Sequence, residues 1–267
     1  MDFEIRSPLH EQASITIPIE VAKSDKAFNG TICSNKGDEY TVRNNVVDLV
    51  TELKDYSLAQ STNHWKLTAG LYEDLWRKRS LSLLTGEEFP IEKEKELLIE
   101  WLAPQADSIY LDVGCSTALY ARTVKSSQPE STVVALDFSK EMLNEARLKS
   151  EAEESDMFLI RADARHMPFF GKTFDGLMMG GTLNELTDEL KVLFECRRVI
   201  KDGGTFFMMH LIKADTWYGR LIQSSTEWSG IRFWSIDESN ELFSRAGFSV
   251  EEQFSKGIVC FTKLKAS

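Results

Sequence analysis

Three acids stand where three successive apolar runs end. Asp112 lies in LDV before Gly114, Asp137 closes TVVALD 25 residues later, and Asp163 follows MFLIRA. A carboxylate at a strand end can accept two hydrogen bonds from a ribose diol, and an aromatic beside it, here Phe138, can cover one face of an adenine ring. Asp163 and the backbone at Ala164 supply the acceptor and donor that read an adenine edge. Asp137 or Asp163 alone equally suits a cap for the helix that follows; three in succession point to an adenosine-bearing ligand. The first run passes into Gly114-Cys115-Ser116-Thr117-Ala118 and then a helical LYARTVKSS. Such a turn brings backbone N–H groups and a positive helix end to the sheet's carboxyl edge. A dinucleotide fingerprint would place glycine at 114, 116 and 119, and only Gly114 satisfies it, which weakens a pyrophosphate reading.

Groups able to move a proton are few. His210 ends the fifth run, GTFFMMHLI, and is expected to face the crevice; Asn184 and Glu185 follow the fourth in GGTLNEL; His64 opens an aromatic helical stretch. A histidine near neutrality can take a proton from a phenol, an indole N–H or an activated carbon acid. His210 could equally be a core histidine, and Glu185 a solvated carboxylate. We take His210 and Glu185 as the catalytic candidates. The stretches NHWKLTAGLYEDLWRKRS and DTWYGRLIQSSTEWSGIRFWS hold five of the six tryptophans. With His64, Tyr72, Trp76, Asn184, Trp217 and Trp234 they are expected to wall a pocket for a flat, apolar acceptor, although any single tryptophan could instead staple a helix to the core.

These residues need an alternating scaffold to bring them together. Runs 108–113, 132–137, 157–162, 174–179 and 204–212 alternate with amphipathic stretches such as SKEMLNEARLKSEAEE and DELKVLFECRRVI. That order predicts an α/β fold, a Rossmann-like, seven-stranded and mostly parallel sheet covered on both faces. FSVEEQF and GIVCFTKL are close enough to form an antiparallel hairpin at its end. We divide the chain into a small β extension at 1–55 and a main domain at 56–267, the latter with a helical cap at 56–103 and an aromatic insertion at 213–236. The 267 residues carry 31 Lys and Arg against 42 Asp and Glu, a net charge of -11. That sign is wrong for a protein that neutralises nucleic-acid phosphates. No apolar run reaches the roughly 18 residues of a membrane span, and MDFEIRSPLHEQ lacks a signal peptide's basic and apolar regions, so the chain is expected in the cytoplasm. Four scattered cysteines suggest neither a disulfide frame nor a metal site.

From Leu111 to about 211 the sequence resembles the class I S-adenosylmethionine-dependent methyltransferases, and among them the ubiquinone/menaquinone type. LDVGCSTA, VVALDFSKEML, RADARHMPFFGKTFDGLMM and RVIKDGGTFFMM carry the likeness. The resemblance implies S-adenosylmethionine as cofactor. Asp112, Gly114 and Ser116 would lie at its amino-acid end, Asp137 on the ribose, Phe138 and Met142 on adenine, Asp163 and Ala164 at the adenine edge, and Met179 and Gly180 beside the sulfonium. Ser116 and Ala118 stand where the family has glycine. The implied activity is methylation of a hydrophobic, aromatic small molecule in specialised metabolism, on C, N or O. Rival readings are methylation of a prenylated quinol, a nucleotide-dependent oxidoreductase, and a methyltransferase-fold binding protein without turnover. The first 55 residues more distantly resemble a zinc-ribbon segment that precedes this domain in cyanobacterial and chloroplast relatives. Ile17-Pro18-Ile19-Glu20 and Gly30-Thr31-Ile32-Cys33 fall where its two knuckles would be, and only Cys33 survives, so a metal-free remnant is expected.

Overall fold

A computed structural model describes residues 1–10, 12–50, 90–227 and 230–267. The N-terminal part forms β1 (Phe3–Arg6), β2 (Ser14–Ile17), β3 (Gly30–Cys33), β4 (Glu39–Arg43) and β5 (Val46–Asp48). Then follow α1 (Ile91–Leu102), β6 (Ile109–Val113), α2 (Leu119–Ser127), β7 (Thr132–Asp137), α3 (Lys140–Ala152), β8 (Phe158–Arg161), β9 (Phe174–Gly180), α4 (Glu189–Val199) and β10 (Ile200–Leu211). The chain ends in α5 (Trp217–Glu227), α6 (Ile236–Arg245), β11 (Phe248–Lys256) and β12 (Val259–Ala266).

The alternation expected from the sequence is present because strands such as VVAL and LMM are apolar on both faces and must be covered twice. The covering helices are defined by local chemistry. The Ser139 hydroxyl accepts the Met142 amide to start α3, and Ser235 with Glu238 closes a capping box on α6. The seven expected strands run in the order β11-β12-β10-β9-β6-β7-β8, with β12 antiparallel to both neighbours. Strand residues alternate between two cores. Leu111, Leu136, Ile160, Leu177, Phe206 and Met208 face α4 and α6, whereas Tyr110, Ala135, Leu159, Met178 and Phe207 face α1, α2 and α3.

The N-terminal strands differ from a small unit packed on the outside. β5 pairs in parallel with β8, Val46 to Leu159 through Asp48 to Arg161, and β4 and β3 continue outward, so the sheet has ten strands. Without them β8 would present an edge of unpaired N–H and C=O groups, and β5 removes that liability. The β1–β2 hairpin joins the same core: the Phe3 ring lies 5.3 Å from Phe158 and 6.3 Å from Phe169 and Phe174. The boundary at residue 55 therefore divides the sequence pattern but not the hydrophobic core. Cys33 is exposed, and among the described residues no three His, Cys, Asp or Glu side chains gather into a metal-binding group. No described helix is long and apolar enough to cross a membrane. Of the stretch 56–103 only α1 and its flanks are described; His64, Tyr72 and Trp76 lie outside the described residues.

Candidate functional site

The turn after β6 reverses direction through three left-handed residues at alternate positions, Gly114 (φ 65°), Ser116 (φ 51°) and Ala118 (φ 60°). Left-handed backbone costs an L-residue roughly 1–2 kcal/mol, so Ser116 and Ala118 hold a glycine conformation against strain. Hydrogen bonds hold them there. The Ser116 N–H donates to Asp137 Oδ2 at 2.7 Å, the Cys115 N–H to the Leu136 carbonyl at 3.0 Å, and the Thr182 hydroxyl to the Gly114 carbonyl at 2.9 Å. A Cβ at Gly114 would stand only 2.4 Å from Thr182, so this position requires glycine for space as well as for φ. The Ser116 hydroxyl lies 3.4 Å from Met142 Sδ, which is buried beneath the loop.

Asp137 ends β7 half-buried, and its second oxygen accepts the Ser139 N–H at 2.8 Å. Phe138 follows it, also half-buried, with the Arg161 guanidinium 5.2 Å from its ring centre. Asp48 and Arg161 are residues the sequence reading missed. Arg161 Nε donates to the Phe138 carbonyl at 3.0 Å, and its Nη1 reaches both Asp48 oxygens at 3.0 and 3.3 Å. No sequence signal sets the register of β5 on β8, and that register is what makes them partners.

Several expected roles are corrected. Asp112 is only 2% exposed and accepts the Ala121 N–H at 3.1 Å, so it anchors the start of α2 instead of lining the crevice. Asp163 receives the Arg165 amide at 2.8 Å and the Arg165 guanidinium on both oxygens, the helix-capping alternative. Burial there opposes ionisation, but the Arg165 hydrogen bonds outweigh it and hold the carboxyl below its usual range. Ala164 beside it is half-buried. Met179 is fully buried in the core, and only Gly180 reaches the edge.

His210 is the largest departure. Strand alternation turns it to the Phe206–Met208 face, where it is 0% exposed with its ring edge-on to Phe243 of α6 at 5.6 Å. Among the described residues neither ring nitrogen has a hydrogen-bond partner, and burial pushes its pKa down to about 4. It faces a core helix and not the crevice. Asn184 is also enclosed: its Nδ2 donates to the Leu211 and Arg232 carbonyls at 2.8 and 2.6 Å, and its Oδ1 accepts the Leu211 N–H at 2.8 Å. It clamps a loop instead of presenting an amide to a ligand. Glu185 stands half-buried at the end of the same short helical turn, 182–185, whose Thr182 holds the Gly114 loop. Trp234 is buried, its backbone bridged to Ile212, while Trp217 is 73% exposed on α5. The Cys115 thiol is pushed well up by burial and by the nearby Asp137 and Asp112 carboxylates, which removes it as a nucleophile.

The arrangement suits a nucleoside better than a diphosphate. A half-buried carboxylate, an aromatic ring and a tightly wound small-residue loop share one edge, and the two arginines described there, Arg161 and Arg165, are each committed to an aspartate.

Comparison with known proteins relates the chain to methyltransferases. Residues 111–208 match the methyltransferase domain family. An uncharacterised chloroplastic methyltransferase of Arabidopsis thaliana, At2g41040, is 25% identical over 89% of this chain and 70% of its own length. Demethylmenaquinone methyltransferase of Thermotoga maritima is 30% identical over 46% of this chain and 52% of its own, so the chain spans about half the length of that relative. Among solved structures, the complex of the Haloferax volcanii Trm112 methyltransferase activator with a methyltransferase aligns with a TM-score of 0.61 at 16% identity, covering 80% of this chain and 99% of the matched one. At that identity the likeness shows the fold alone.

Proposed function

The chain carries a methyltransferase domain of the S-adenosylmethionine-dependent class, and from that premise we propose that it methylates a hydrophobic, aromatic small molecule. The observation that carries the cofactor part is the 114–118 turn, whose left-handed Ser116 is tied by its amide to Asp137. Asp137 accepts the ribose hydroxyls, Phe138 lies against adenine, and Gly114, Ser116 and Gly180 leave room for the amino-acid end. Met142 supports the loop from below, and Ala164 borders the adenine side. When bound, S-adenosylmethionine supplies a methyl group already activated by its sulfonium. The protein's own residues therefore need only align the acceptor, exclude water and, for an acceptor that must lose a proton, receive it. Glu185 is the carboxylate we assign to that last role, since His210 is sealed in the core. Trp217 and Trp234 belong to the acceptor side, with His64, Tyr72 and Trp76 as further candidates from the sequence.

A prenylated quinol is the second reading, and the names of the bacterial relatives favour it. The Arabidopsis relatives are named chloroplastic, so the cytoplasmic placement and the specialised-metabolic role remain parts of this proposal. The test is transfer of a labelled methyl from S-adenosylmethionine to a panel of phenols, indoles and prenylated quinols, with the label then located in the product. Transfer to a member of the panel is expected; binding of S-adenosylhomocysteine without transfer to any would leave a binding protein on a methyltransferase fold.

A further inference from the structure

The N-terminal strands do more than cover an edge. Parallel pairing puts Asp137 of β7, Arg161 of β8 and Asp48 of β5 in one row across the carboxyl ends of three adjacent strands, on the sheet face that packs against α3. Arg161 is only 16% exposed, and its guanidinium sits beside Phe138, which immediately precedes the Ser139 cap of α3. A cation there is opposed by the positive helix end and by partial loss of water, so it needs an anion to stay. Asp48 supplies it through both oxygens, and the Asp48 carboxylate is itself fixed by the Val50 N–H at 3.2 Å. So held, Arg161 grips the Phe138 main chain through the carbonyl and faces its ring at the same time.

We infer that Asp48, acting through Arg161, positions Phe138 as the adenine wall of the cofactor site, making the N-terminal strands a working part of that site. This rests on the cofactor reading above. Asp48 is a positioning residue: it touches no ligand, and its effect is confined to the adenosine half.

The test is calorimetric titration of S-adenosylhomocysteine and of adenosine into the parent chain and into Asp48→Asn, Arg161→Lys, Phe138→Ala and the Asp48→Asn/Phe138→Ala pair. Asp48→Asn keeps the shape and removes the charge; Arg161→Lys keeps the charge and removes the planar contact. Each is expected to weaken both ligands by the same factor, about three- to tenfold. In the Phe138→Ala background Asp48→Asn should cost nothing further, because the wall it positions is gone. A purely structural ion pair would lower the melting temperature and leave the affinities of the folded protein alone. If Asp48→Asn fails to fold, Arg161→Lys with Phe138→Ala completes the same cycle. Parent-like affinity in the single variants, or additive losses in the pair, would overturn the inference while leaving the cofactor reading intact. A parent chain that binds no S-adenosylhomocysteine would overturn both.

Discussion

At the carboxyl ends of β7 and β8, Asp137, Arg161 and Asp163 are half-buried beside the tight turn that follows β6, whereas two polar residues beyond β9 and on β10 are enclosed: Asn184 spends its amide on Leu211 and Arg232, and neither His210 ring nitrogen has a hydrogen-bond partner among the described residues. Both halves carry residues that suit chemistry, and both lie at the edge where α/β sheets bind ligands. What separates them is side-chain direction. Asp137 ends its strand and is followed by a turn, so its carboxylate meets the backbone amides of Ser116 and Ser139. His210 is one residue short of the end of β10, and the two-residue alternation turns it toward α6. Residue type at a strand end suggests chemistry only after the face is known.

The largest test of this contrast is Asp137→Ala. It removes a charged acceptor whose hydrogen bonds are worth about 1.5–3 kcal/mol each, and the affinity for S-adenosylhomocysteine measured by calorimetry should fall by about 100-fold. Unchanged affinity would erase the distinction between the two halves. Asn184→Ala should show the opposite pattern. It orphans two carbonyls and an amide, and thermal or urea unfolding should report about 3 kcal/mol of lost stability while the folded protein keeps its cofactor affinity.

His210 sharpens the comparison through pH. Above its ordinary pKa of 6.5 the imidazole is neutral in folded and unfolded chains alike. Below that the unfolded chain takes up a proton, which the folded chain resists until about pH 4. Stability is thus intact above pH 6.5 and lost progressively as pH falls toward 4, by about 3 kcal/mol in all. His210→Leu should flatten this part of the pH profile of unfolding and, by removing two unsatisfied buried nitrogens, raise the melting temperature at pH 7. Retained acid sensitivity in that variant would assign it to other groups.

Much of the fold was legible locally. Apolar runs with both faces covered and the short turn between β11 and β12 are properties of neighbouring residues, and they predicted the seven strands and the antiparallel end. The candidate cofactor edge was legible for the same reason: LDVGCSTA and the Asp137-Phe138 pair each carry their geometry within a few residues. Ser116 and Ala118, which departed from glycine, proved to hold the glycine conformation, because a hydrogen bond donated to distant Asp137 and one accepted from Thr182 fasten the turn.

The sequence by itself determined the alternation of elements, the strand ends that bear carboxylates, and the kind of group such an edge can hold, since all of these follow from short-range pattern and backbone preference. Only the tertiary structure decided which way His210 turns, what Asn184 is bonded to, and that Asp48 meets Arg161. Those depend on register between segments as far as 113 residues apart, and register is fixed by the packing of whole faces against each other, which no local stretch of sequence encodes.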